Sequence, residues 1–277
     1  MPLGTLAQFF IPRWLTVRVA RLLGPLMPGL APRRAATVRD NLRRILGPRA
    51  TADELDHLCR STFTNLLQNT FDLLRLPVLR RRVACLAEFD RSPLDAAVSQ
   101  GRGVILATAH VANWDLAGAF IAALGYPISA VVEPVPGGWM ETFDRYRRAT
   151  AMETIPIPDT AGLRTAVRSG RVIALVADRD LTGNGLDCPA FGASRSFPRG
   201  PAFFALRNRV PLVIGIINFQ GRPGRPPYHV RVEPVEFTPT GAFAADVDEL
   251  TRRLAARLNG WVARYPDQWL VFQPGWR

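Results

Sequence analysis

A histidine and an aspartate five positions apart, His110 and Asp115, close the stretch Gly103-Val-Ile-Leu-Ala-Thr-Ala-His-Val-Ala-Asn-Trp-Asp115. An imidazole, with a reference pKa of about 6.5, can take the proton of an alcohol as that alcohol attacks an acyl carbon. A carboxylate on the other ring nitrogen then fixes the tautomer and stabilises the imidazolium. Such chemistry needs no protein nucleophile. On a regular helix, positions i and i+5 stand about 140° apart, so this pair can meet only if His110 precedes the first full turn. A helix-capping polar segment with a satisfied histidine is the plainer reading of the same residues.

The flanking pattern says what must position them. Val104, Ile105 and Leu106 form a short apolar run of the interior-strand kind, and Trp114, Leu116, Ala117, Ala119, Phe120 and Ala123 follow helical spacing. His110 is therefore expected at the carboxyl end of a strand, the edge where open α/β sheets bind ligands. Glu133 follows the apolar run Ile128 to Val132, and Asp178-Arg179-Asp180 follows Val172 to Ala177, so both belong to that edge. Three adjacent charges must be solvated, mutually paired or bound to substrate, because burying them unpaired would cost several kcal/mol. Arg179 suits a phosphate or a headgroup. Pro198-Arg199-Gly200-Pro201 reads as a helix opening, whose free N–H groups, with Arg199, offer an anion or oxyanion site; an ordinary proline-started helix reads the same way.

Strands are expected at 103–109, 127–132, 153–157, 171–177, 211–218 and 228–235, and helices at 112–124, 138–151, 160–169, 199–208 and 246–264. Residues 1–90 read as helical, with breaks at Gly24-Pro25, Pro28-Gly29, Gly47-Pro48 and Pro77 and a capping-box start at Thr51-Ala-Asp-Glu54. The fold expected is α/β: a mixed, partly parallel sheet covered by helices, with a helical N-terminal region (1–90) joined to an α/β core (91–277) in one compact unit.

Composition narrows the chemistry. The chain of 277 residues is 48% hydrophobic and carries a net charge of +12, and all 35 of its basic residues are arginine. The lack of lysine excludes Schiff-base chemistry and a P-loop lysine. Arginine pairs bidentately with phosphate, which suits anionic lipid headgroups or a phosphorylated acyl carrier. Zinc-finger spacing, an RNP-type aromatic strand and a Gly-rich phosphate motif are all missing, so nucleic acid is not an expected partner. Cys59, Cys85 and Cys188 are widely spaced and odd in number, which fits a reducing compartment. His57 and His229 lack metal-ligand spacing with His110, and there is no Gly-x-Ser-x-Gly elbow. No metal or cofactor is expected.

The amino terminus reads as neither a signal peptide nor a spanning helix, because Pro12, Arg13, Arg18 and Arg21 interrupt its apolar positions. Leu6, Phe9, Phe10, Trp14 and Val17 with Arg13, Arg18 and Arg21 have the composition of an interfacial helix. A helix packed on the core would show the same spacing.

As a whole, His110-Val-Ala-Asn113-Trp114-Asp115 resembles the His-x4-Asp/Glu motif of the lysophospholipid and lipid A late acyltransferase superfamily. Its Asn-Trp-Asp variant looks most like that of the phosphatidylinositol mannoside acyltransferases. Arg33-Arg34, Val38-Arg39-Asp40-Asn41-Leu42, Glu133, Tyr146-Arg147, Ala177 to Thr182, Phe191-Gly192, Pro198 to Pro201 and Tyr265-Pro-Asp-Gln-Trp269 extend the resemblance along nearly the whole chain. It implies a peripheral membrane enzyme on the cytoplasmic face that moves a fatty acyl chain from acyl-CoA or acyl carrier protein to a hydroxyl of a glycolipid or lysophospholipid, on an anionic membrane surface.

In that reading His110 is the general base and Asp115 its orienting partner, while Asn113, Glu133, Arg147, Asp178, Arg179, Asp180 and Arg199 bind substrate. Arg147 is selected by the family's Phe/Tyr-Arg pair alone; a slip of one residue would move the role to Arg148. One departure matters. In the mannoside enzymes a glutamate thought to assist the histidine follows Phe-Gly, whereas Phe191-Gly192 is followed by Ala193. Asp115 suffices, Asp187 or another acid substitutes, or the protein is a degenerate lipid-binding relative.

Overall fold

The computed structural model describes residues 11–133, 150–157, 159–221 and 225–277. The expected helix at 138–151 and the apolar positions Leu6, Phe9 and Phe10 fall largely or wholly outside them.

Helices build the first part of the chain: α1 (Arg13–Leu23), α2 (Pro32–Leu46) and α3 (Ala52–Leu74). Proline at the first position starts α2, and Gly47 ends it at φ 79°, a conformation that favours glycine. Of the capping box expected before α3, the N-cap bond forms, with Thr51 accepting from the Glu54 N–H at 3.2 Å. α1 is anchored by charge rather than left wholly at the surface. Arg13 pairs with the fully buried Asp72 of α3 at 2.9 and 3.1 Å, and the Tyr228 hydroxyl donates to the same carboxylate at 2.6 Å. Arg13 thus leaves the exposed set that the amphipathic spacing assigned to it.

From residue 87 the chain alternates: β1 (Ala87–Phe89), α4 (Ser92–Val98), β2 (Val104–Thr108), α5 (Trp114–Ala123), β3 (Ile128–Val132), β4 (Glu153–Pro156), α6 (Thr160–Arg168), β5 (Val172–Val176), β6 (Leu186–Ala190), β7 (Ala193–Phe197), α7 (Gly200–Asn208), β8 (Leu212–Phe219), β9 (Tyr228–Pro234) and α8 (Phe243–Arg264). Seven strands form one sheet in the order β1-β9-β8-β2-β5-β3-β4. Every neighbouring pair is parallel except β8 with β9. The mixed, partly parallel sheet expected from the alternating pattern forms, and it is parallel in all but this one pairing. All five residues of β2 are buried, and because successive side chains point to opposite faces, both faces of the sheet are covered there.

Three strands went unread in the sequence. β1 is three residues long and joins the sheet edge through β9, in a region that reads as helix. β6 and β7 form a separate antiparallel hairpin whose two-residue turn holds Phe191 at φ 51° and Gly192 at φ 76°, the signs of a type I′ turn. β6, Leu-Asp-Cys-Pro-Ala, alternates in burial but is short and carries a proline, which demotes a strand reading, and β7, Ala-Ser-Arg-Ser-Phe, does not alternate.

After α8 the tail runs back across the molecule. Asn41 donates its side-chain N–H to the Val271 carbonyl at 2.9 Å, and Ser61 donates to Asp267 at 2.6 Å, so the tail is tied to α2 and α3.

Candidate active site

β2, β5 and β3 lie side by side and parallel, so the segments leaving their carboxyl ends meet. The Ala177 N–H donates to the Thr108 carbonyl at 2.8 Å, one residue beyond the β2–β5 ladder, and this sets His110 opposite Asp178. Between Thr108 and α5 the backbone turns sharply: the Val111 N–H reaches the Ala109 carbonyl at 2.7 Å, and Ala112 sits at φ 46°. A left-handed alanine costs on the order of 1–3 kcal/mol and persists only where its surroundings over-determine it. Here they do. The Ala112 N–H donates to Gln268 O at 2.8 Å, the Leu270 N–H donates to His110 O at 2.7 Å, and the Asn69 side chain donates to Ala112 O.

Asn113 then caps α5 by accepting from the Leu116 N–H at 3.0 Å. α5 begins at Trp114, so His110 does precede the first turn. The carboxylate on its ring is nevertheless that of Asp178, with Oδ1 2.7 Å from Nδ1. A carboxylate only accepts, so Nδ1 carries the hydrogen and Nε2 is left with its lone pair. Asp178 Oδ2 accepts from the His110 backbone N–H at 2.9 Å and from the Trp269 indole N–H at 2.7 Å. Burial pushes the Asp178 carboxyl upward, but its electrostatic and hydrogen-bond contacts with His110, and the Trp269 hydrogen bond, outweigh it and hold the pKa down, at about 2. The Trp114 ring stands edge-on to the imidazole at 4.7 Å.

The ring faces an apolar cavity of about 490 Å³, within the range of about 300–1,000 Å³ usual for ligand pockets. Part of its wall is a cross-strand row, Leu106, Ala174 and Ala130, set by the β2–β5 and β5–β3 registers. Gly118 of α5 and Met152 also line it, and a Cβ at Gly118 would lie only 2.5 Å from the Met152 sulfur.

The other expected site residues divide. Asp115, in the first turn of α5, and Glu133, at the carboxyl edge after β3, line the cavity with His110 and Arg179. Arg179 approaches Glu133 at 3.8 Å. Asn113 borders the cavity, but its amide is engaged by the α5 cap and the Asn69 carbonyl. Asp180 organises its own loop, accepting from the N–H groups of Thr182, Gly183 and Gly185 and from the Ser196 hydroxyl. Arg199 turns to Asp248 at 2.7 Å and to the carbonyls of Asn184 and Gly185. Only the neighbouring Pro198, Gly200 and Pro201 at the start of α7 line the cavity. Arg147 lies outside the described residues.

Three residues that the sequence reading did not assign to the site support it. Trp269 holds Asp178 Oδ2. Arg195 of β7 donates from Nε to the Asp178 carbonyl at 3.1 Å, and Gln268 pins the end of β8 through both the N–H and the carbonyl of Phe219. Their only sequence signal was the tail motif ending in Trp269. Ala193, at the start of β7, pairs with Ala190 across the hairpin turn.

A mostly parallel sheet thus carries a carboxylate-held histidine at its carboxyl edge, above an apolar cavity. The chain belongs to the bacterial lipid A biosynthesis acyltransferase family, whose sequence profile matches residues 4–277. It is 31% identical over 247 residues to the phosphatidylinositol mannoside acyltransferase of Mycolicibacterium smegmatis, covering 86% of this chain and 78% of the relative. The Mycobacterium tuberculosis protein of the same description is 31% identical over 252 residues, covering 86% and 76%.

Proposed function

We propose that this acyltransferase moves a fatty acyl chain from a thioester, acyl-CoA or acyl carrier protein, to a hydroxyl of a membrane glycolipid or lysophospholipid, with His110 as general base. The observation that carries the proposal is the 2.7 Å contact of His110 Nδ1 with buried Asp178, which leaves Nε2 as the proton acceptor beside the apolar cavity. The acyl chain occupies the cavity and brings its carbonyl to the mouth. As the acceptor hydroxyl attacks that carbon, its proton passes to Nε2 and a C–O bond forms. The tetrahedral intermediate collapses with cleavage of the C–S bond, and the imidazolium returns its proton to the leaving thiolate.

Asp178 orients the ring and stabilises the imidazolium. Asp115 and Glu133 form the polar wall that the acceptor meets, with Arg179 beside them. N–H groups at the opening of α7, which borders the cavity, are suited to the developing oxyanion. The Asp178 contact favours this reading over that of a degenerate lipid-binding relative, because the ring is held although residue 193 is alanine.

Peripheral attachment at the cytoplasmic face of the membrane completes the proposal. Among the described residues no helix is long and apolar enough to cross a bilayer. Trp14, Leu22, Leu26 and Leu30 are all more than half exposed, with Arg18 stacked on Trp14 and Arg21 alongside, a surface suited to the interfacial zone of an anionic membrane.

The test is thiol release from acyl-CoA and acyl carrier protein with a panel of lysophospholipid and mannolipid acceptors. Wild type is expected to release thiol and form acylated acceptor, and folded His110→Ala to do neither. Near-wild-type turnover by that variant would overturn the role of His110.

A further inference from the structure

A second, polar cavity of about 330 Å³ lies behind the dyad, between the Asp178–Asp180 loop, β7 and the tail. Among the described residues three arginines line it: Arg179, Arg195 and Arg277. Arg195 is only 4% exposed; its guanidinium packs against both the Trp269 and the Trp276 rings, 4.9 and 5.1 Å from their centroids, and its Nε is bonded to the Asp178 carbonyl. Its Nη1 is buried without a hydrogen-bond partner among the described residues. A buried cation is costly unless compensated, and two indole faces compensate only in part.

The carboxylates nearby are committed to other donors, and none of them bonds the Arg195 guanidinium among the described residues. Asp178 turns both carboxylate oxygens to His110 and Trp269, and Asp180, which lines the cavity, accepts from its own loop and from Ser196. Arg179 meets Glu133 only at 3.8 Å, and Arg277 pairs with Asp187 at 2.9 Å on the exposed rim. The Arg195 pKa is driven down by burial, partly restored by Asp178, and lowered further by the charge of Arg179. An anion set among these arginines would relieve both the burial and the repulsion.

We propose that this cavity is a phosphate-ester subsite, with Arg179, which also lines the apolar cavity, joining the phosphate to the reacting end of the substrate. The inference rests on the proposed acyl transfer for its substrate classes: the phosphate belongs either to a nucleotide-bearing thioester donor or to the phosphodiester of the lipid acceptor.

Calorimetric titration of the full chain separates the sources with two soluble probes, 3′,5′-ADP for the donor and glycerophosphoinositol for the acceptor. Binding of at least one probe at submillimolar concentration is expected, weakening with added salt. Arg179→Gln combined with Arg277→Gln should weaken it at least tenfold, and Arg277→Gln alone, at an exposed residue, several-fold. Arg195→Met, which keeps much of the packing against the indoles, should also weaken it. The probe that binds names the source. Failure of both probes to bind wild type at millimolar concentration, or equal binding by wild type and the folded double variant, would overturn the subsite. These are binding measurements without turnover, so an inactive protein can still bind the probes and an active one can fail to.

Discussion

Trp269 and Asp178 are joined by an indole N–H bonded at 2.7 Å to Oδ2, the oxygen that also accepts the His110 backbone N–H. The tail therefore helps to build the site. One carboxylate holds the histidine ring, the histidine backbone and the tail together, so a defect in any of the three should be felt at the imidazole. Trp269→Phe keeps most of the packing but removes a donor from a buried carboxylate, at a cost of about 1–3 kcal/mol. The expected outcome is a lower denaturation midpoint and a lower kcat with little change in KM, read from urea unfolding and steady-state thiol release.

Asp178→Asn and Asp115→Asn should separate by what happens to the ring. Asp178→Asn removes the carboxylate on Nδ1, and a loss of up to ~10⁴-fold in kcat is expected on the precedent of catalytic triads. The downfield Nδ1–H proton resonance should vanish with it. Asp115→Asn should lower the rate while keeping that resonance. Ala193→Glu should change turnover only modestly, since the ring nitrogen already has its carboxylate. Loss of the resonance in Asp115→Asn with retention in Asp178→Asn would reverse the assignment.

The depressed Asp178 pKa, at about 2, has a defined signature in acid. Unfolded aspartate titrates near about 3.9. A group depressed in the folded state stabilises the protein above its unfolded pKa, and that contribution is lost as the pH falls through the folded one. Wild type should therefore exceed Asp178→Asn in stability above about pH 4, and the gap should narrow between about pH 4 and pH 2. Urea midpoints measured at intervals across that window test it; a constant gap would contradict the assigned shift.

Ala174 and Ala130 keep the floor of the apolar cavity open beside Leu106. Ala174→Leu should fill part of that volume and shift the preferred donor toward shorter acyl chains, with turnover of the shortest substrates least affected. Competition among acyl-CoA chain lengths, followed by mass spectrometry of the product, measures the shift. An unchanged chain profile in the folded variant would place the acyl chain elsewhere.

The exposed face of α1 should bind anionic vesicles more strongly than neutral ones. Each arginine near such a surface adds at most about 1 kcal/mol, and salt screens it. Arg18→Gln with Arg21→Gln should reduce sedimentation with anionic vesicles at low ionic strength, and Trp14→Ser with Leu22→Ser should reduce it further. Equal sedimentation of wild type with neutral and anionic vesicles would count against the electrostatic part of the attachment.

Local pattern was enough to read β2, the start of α5, the Thr51 cap and the position of His110, Glu133 and Asp178 at one sheet edge. Each follows from the apolar period or from a cap closed within a few residues. A motif within one segment also made Asp115 the natural partner of the imidazole. The partner on Nδ1 comes instead from 68 residues away, because β2 and β5 pair in parallel, and strand register across a sheet is a relation between segments that neither segment encodes alone. The same holds for Arg13, read as a surface arginine until Asp72 and Tyr228 are brought against it, and for Arg199, drawn to Asp248 on α8. What the sequence determined was the set of chemical groups and the strand ends that carry them. Which carboxylate holds the histidine was decided by tertiary structure, through the β2–β5 register and the fold-back of Trp269, because hydrogen bonds at 2.7 Å depend on positions that only the packed sheet and tail define.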